Sequence, residues 1–198
     1  MSSKPFTLGT GDLARVAVFT ALIAVLGLPG ALNVFGNAVP ITLQTFGVML
    51  AGLILGPWRA ALAILVLYVL VAAGLPLLAG GRGGLGVFFG PSAGFLLGWL
   101  PGAWVVGWLA GRGGFVRLLA ACLVGGIGVI YGLGIPVQAA VTGAGLGKAA
   151  LLSLAFIPGD VAKAVLAALV AGGVRRAYPA VAPAAPQAED SRPGAAQR

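Results

Sequence analysis

From Leu13 almost to Arg175 the chain is a succession of long apolar stretches, broken by short turns that carry glycine, proline or arginine. The strict apolar–polar alternation of a membrane barrel strand is absent, and stretches near 20 residues are long enough to cross a hydrocarbon core as helices. The pattern predicts helices over 13–28, 40–55, 58–74, 91–111, 115–134 and 158–173. The fold class is therefore an all-α integral membrane protein with six transmembrane helices. Its membrane domain covers 12–176, between a cytoplasmic N-terminal segment, 1–11, and a cytoplasmic tail, 177–198. That tail turns to alanine, proline, glutamine and mixed charge, and is expected to be disordered. The first apolar run does not end in a small-residue cleavage site and reads as a retained helix.

The stretch 136–157 is apolar enough to be a seventh span, and charge decides against it. With six spans Lys4, Arg15, Arg59, Arg112, Arg117, Arg175, Arg176, Arg192 and Arg198 share one side, while Arg82 and Lys148 take the other. The positive-inside rule puts the richer side, with both termini, in the cytoplasm. A seventh span would send Arg175 and Arg176 outward. Hence 136–157 is expected to be a long outer connection, with a short helix at the interface or dipping back.

Composition agrees: 60% of residues are hydrophobic, 8% are charged and mean hydropathy is +1.06, values that a soluble domain of this length does not sustain. The 34 glycines favour closely packed helices. The net charge of +8 reports topology in such a chain, not nucleic-acid binding. One cysteine, Cys122, and no histidine exclude a disulfide framework and a Cys/His metal centre; no cofactor is implied.

Against this background Asp160 and Lys163 stand out. They sit one turn apart in Pro158-Gly159-Asp160-Val161-Ala162-Lys163, at the start of the last apolar helix. An ionised side chain facing lipid costs about 2.5 to 3.5 kcal/mol, so such residues turn toward a bundle interior or a polar cavity. The spacing of three places both on one helix face. The rival reading is a structural ion pair that lets two charges enter the membrane together. A second unusual segment, 79–92, is dense in glycine yet contains Phe88 and Phe89. Gly84 and Gly86 there allow close approach of backbone amides to a ligand, which the two phenylalanines would cover. Asp12, alone at a helix start, reads as a cap.

Two nucleotide-like motifs fail. Thr142-Gly143-Ala144-Gly145-Leu146-Gly147-Lys148-Ala149 has Thr where a P-loop needs glycine and Ala where it needs the Mg²⁺-ligating hydroxyl. Gly9-Thr10-Gly11-Asp12-Leu13-Ala14 has no strand before it. With no paired carboxylates and no nucleophile–base set, a membrane enzyme is the poorest of the functional readings.

Several segments, in this order, resemble the BioY family, the biotin-specific substrate-binding (S) components of energy-coupling factor (ECF) transporters. They are Val39-Pro40-Ile41-Thr42-Leu43-Gln44-Thr45-Phe46-Gly47, Gly80-Gly81-Arg82-Gly83-Gly84-Leu85-Gly86-Val87, Gly90-Pro91-Ser92-Ala93-Gly94-Phe95, Gly145-Leu146-Gly147-Lys148 and Pro158-Gly159-Asp160-Val161-Ala162-Lys163. The likeness runs from about residue 15 to 173. Ser92 and Phe95 stand where the family commonly has Thr and Tyr, which removes one ring hydroxyl. The resemblance implies a six-helix protein of the cytoplasmic membrane that captures biotin at its outer face and joins a transmembrane coupling protein and two cytoplasmic ATPases. ATP hydrolysis would then belong to those partners.

For such a ligand, Asp160 would accept from a ureido NH while Lys163 donates to the ureido carbonyl. Gln44 is a further candidate for the polar shell, and Arg82 or Lys148 for the valerate carboxylate. A solvated loop charge is the rival for those two. Ala14, Ala17, Ala21 and Ala24 put small residues on one face of the first helix. In the family this pattern, here Ala17 and Ala21, contacts the coupling protein; packing within the chain is the alternative. Trp58, Trp99, Trp104 and Trp108 read as packing residues or interfacial anchors. An S component for another vitamin and a stand-alone secondary carrier are the remaining rivals.

Overall fold

The computed structural model describes residues 9–30 and 39–178. Most of the expected tail, and the expected N-terminal segment up to residue 8, lie outside the described residues. The helices are α1 (Thr10–Val25), α2 (Gln44–Leu55), α3 (Pro57–Ala72), α4 (Ala93–Ala110), α5 (Phe115–Thr142), α6 (Leu146–Ser153) and α7 (Ile157–Ala177). Short 3-10 turns at Leu85–Phe88 and Leu154–Phe156 lead into α4 and α7. No strand occurs among the described residues; Leu78 and Arg82 pair through a single antiparallel bridge.

Three runs are long and apolar enough to cross a membrane: Ala93–Ala110, Phe115–Thr142 and Leu146–Ala177. α2 and α3 are shorter apolar helices, joined by Gly56 at φ 79°, a left-handed conformation that glycine adopts without a Cβ penalty. α4 is the axis of the bundle, packing on α2, α3 and α5. α7 lies along α2 and the first half of α5, while α1 packs on α3 and α2. Small residues set these distances: a Cβ at Gly98 would lie 3.0 Å from the Cα of Ile130, so α4 and α5 meet almost backbone to backbone.

That contact explains a departure from the expected boundaries. α5 does not stop at residue 134 but continues through Pro136 to Thr142. An interior proline removes a backbone donor and usually ends a helix. Here Gly94 and Gly98 of α4 pack against the α5 backbone over this stretch, and tertiary packing overrides the local preference. The expected outer connection, 136–157, therefore consists of two more turns of α5, then α6 and a 3-10 turn. At eight residues α6 extends about 12 Å, too short for a further span. Midway along α5, Cys122–Val129 winds as a π-helix, and Cys122 is buried there in the core.

Candidate binding site

A cavity of about 60 Å³ opens among the N-terminal ends of α2, α4 and α7 and the middle of α5. Asp160 and Lys163 face it, 5% and 7% exposed respectively, joined at 2.8 Å. The pair does not stand alone. Tyr131 donates its hydroxyl proton to Asp160 Oδ2 at 2.7 Å, and Thr45 Oγ1 donates to Asp160 Oδ1 at 3.2 Å. Lys163 Nζ also donates to the Thr42 carbonyl at 2.6 Å and to Thr45 Oγ1 at 3.1 Å.

The arrangement closes chemically. All three ammonium protons of Lys163 have acceptors, and three of the roughly four lone-pair positions on Asp160 have donors. A buried charge pair is tolerable only when hydrogen bonds complete it in this way.

Around this polar floor the wall is apolar and aromatic. Phe95 sits edge-to-face with Tyr131 at 5.7 Å and with Phe156 at 6.0 Å. Trp99, 6% exposed, lines the cavity as well, so the reading of this tryptophan as an interfacial anchor gives way. Trp58, Trp104 and Trp108 do form a separate ring cluster, with Trp58 and Trp108 exposed. Phe95 is thus a cavity wall without a hydroxyl.

The other expected site residues divide. Gln44 reaches the cavity, but its amide is already engaged: Nε2 donates to the carbonyls of Ile23 at 3.1 Å and Leu77 at 3.0 Å, and Oε1 accepts from the amide of Ala79 at 3.0 Å. It staples α1 and α2 to the loop after α3, leaving one acceptor position. Arg82 stands at the cavity rim, donating from Nε to the Ala79 carbonyl and from Nη1 to Ser92 Oγ, with Nη2 unengaged among the described residues.

Gly84, Gly86, Phe88 and Phe89 are not brought to the cavity. The Gly84 amide bonds back to the Val71 carbonyl at 2.8 Å, and Gly86 borders a separate shallow dent beside Arg82. Phe88 stacks edge-on against Tyr68 at 5.7 Å, whereas Phe89 is 78% exposed. The aromatic rings that line the cavity, Phe95, Trp99, Tyr131 and Phe156, come from inside the bundle. Lys148 is exposed on α6 and lies away from the cavity. Ala17 and Ala21 are exposed on α1 and are not covered by packing among the described residues.

Thr42, Thr45 and Tyr131 were the residues that sequence reasoning missed. Tyr131 had left one signal: a hydroxyl-bearing ring in a run of glycine and aliphatic residues needs a buried partner.

Comparison with known proteins agrees with this architecture. Residues 1–180 match the BioY family. The biotin transporter BioY of Rhizobium etli is 48% identical over 181 residues, covering 87% of this chain and 97% of that protein. The probable biotin transporter BioY of Bacillus subtilis is 52% identical over 163 residues, covering 81% and 88%. Among solved structures, the S component for biotin from an ECF-type ABC transporter superposes with a TM-score of 0.81 at 28% identity, covering 86% of this chain and 95% of that one. On these matches the chain belongs to the BioY family.

Proposed function

We infer that this protein takes biotin across the cytoplasmic membrane as the substrate-binding S component of an ECF-type transporter, and that Asp160 and Lys163 recognise the ureido ring. The observation that carries the site is the closed hydrogen-bond set around this pair. A ligand must replace what it displaces, because an unpaired buried polar group costs about 1 to 3 kcal/mol. Biotin's ureido group offers NH donors for Asp160 and a carbonyl for Lys163, which then releases Thr45 or the Thr42 carbonyl. A purely apolar guest would leave both charges worse satisfied. Arg82, with Nη2 unengaged, is placed to meet the valerate carboxylate at the rim.

A cavity of about 60 Å³ holds water but is far below the ~300 Å³ of a typical ligand pocket. Binding therefore includes an outward shift of the wall that 39–42 and the Arg82–Ser92 contact provide. Six spans, formed by α1 to α5 and α7, put both termini in the cytoplasm and the cavity mouth outside. The outward alanine face of α1 at Ala17 and Ala21 suits a closely packed helix of the coupling protein, which would carry the two ATPases. Titration of the purified protein with biotin, in competition with other vitamins, tests the reading. Saturable binding of biotin is expected; tight binding of another vitamin that biotin does not displace would overturn it.

A further inference from the structure

Positive charge gathers at the opposite end of α7 from Asp160, about 22 Å along the helix axis. There the α4–α5 turn and the last turns of α7 enclose a groove of about 440 Å³. Arg112, Arg175 and Arg176 border it, and Phe115, Leu118 and Leu169 are among the apolar side chains that line it. Arg175 is fixed in place: Nη1 donates to the Gly111 carbonyl at 2.9 Å and Nη2 to the Leu53 carbonyl. Arg112 and Arg176 remain exposed.

No acid answers this charge among the described residues. Asp12 is held by Arg59, and Asp160 by Lys163. Arginines in the last turn of a helix suit the helix dipole, which accounts for Arg175 and Arg176 in part. Arg112, just beyond the end of α4, meets the fringe of that helix's dipole, and all three arginines obey the positive-inside rule, but neither effect supplies them a partner. The apolar lining also continues onto the outside of the bundle, where Val116 is 78%, Leu166 54% and Leu169 55% exposed. A free anion would need only the arginines, and an apolar guest only the floor. A ligand that uses both has an anionic head and a hydrocarbon chain, and basic pockets between membrane helices bind such headgroups.

We propose that this groove binds an anionic phospholipid, with its phosphate between Arg112 and Arg176 and an acyl chain along Phe115 and Leu169. Native mass spectrometry of the full chain in detergent, with phosphatidylglycerol, phosphatidylcholine or inorganic phosphate added, tests it. Retention of phosphatidylglycerol about tenfold above phosphatidylcholine is expected, with no displacement by equimolar phosphate. Arg112→Gln/Arg176→Gln should remove the preference while the protein still elutes as a monodisperse particle. Should that double variant fail to fold, Arg112→Glu, confined to the turn, should lose the preference on its own. Equal retention of the two lipids, displacement by phosphate, or an unchanged preference in the folded variants would overturn the proposal. So would a tenfold gain in lipid binding on neutralising Glu189 and Asp190, which would make the chain's own tail the occupant.

Discussion

The two acids among the described residues, Asp12 and Asp160, are both paired with a base, and the pairs differ in kind. Asp12 meets Arg59 at 2.7 Å at the end of α1, where the side chains are 16% and 34% exposed, and its carboxylate also accepts weakly from the Gly9 amide. Asp160 meets Lys163 with side chains 8% and 9% exposed, and Tyr131, Thr45 and the Thr42 carbonyl complete the set. The outer pair is a brace between α1 and α3 that water can replace at little cost. The inner pair has no such substitute, so any change there must be compensated by another polar group. That need is why the pair is proposed to receive a polar ligand.

The largest effect should come from breaking the inner pair. Asp160→Asn or Lys163→Ala is expected to weaken biotin binding by about five- to 150-fold, from the ~1 to 3 kcal/mol cost of an unpaired buried group, in calorimetric titration. Tyr131→Phe removes one donor to Asp160 and keeps the ring against Phe95. Affinity should fall about fivefold, the ~1 kcal/mol of a single hydrogen bond, and an unchanged Kd would show that the hydroxyl only fills the empty site. Arg82→Gln sharpens the assignment at the rim: biotin should lose about threefold while biotinamide, without the carboxylate, loses nothing. Equal losses would place Arg82 in the fold of the loop and not on the ligand.

At the small end lies the outer pair. Asp12→Asn and Arg59→Gln should leave biotin affinity unchanged and lower stability only slightly, read as a small shift in thermal midpoint that shrinks with added salt. A loss of binding comparable to that of Asp160→Asn would mean that the two pairs are coupled through the bundle, and the contrast between them would fail.

Much of this was legible beforehand, for a physical reason. Burying charge in a membrane helix is costly enough that Asp160 and Lys163 draw attention in any apolar run, and their spacing alone puts them on one face. Apolar length likewise marked α4 and placed the start of α5. What remained hidden depends on contacts between distant segments. Tyr131 reaches Asp160 only because α5 crosses α7 at that depth, and the Cys122–Val129 π-turn, unmarked in the sequence, sets the winding just before it. Gln44 looked like a free amide; its three partners come from α1 and from the loop after α3. The run through Pro136 follows from the glycine face of α4, which no reading of α5 by itself discloses. Nor does the glycine segment announce its own contacts: Gly84 bonds back to Val71, and Phe88 packs edge-on against Tyr68.

The most direct measurement is calorimetric titration of biotin into purified Asp160→Asn beside the unaltered protein, with thermal unfolding recorded on both. The account predicts a Kd raised at least about fivefold in a protein that still unfolds cooperatively. An unchanged Kd in the folded variant would contradict it, and would return the buried pair to the role of a brace like Asp12 and Arg59.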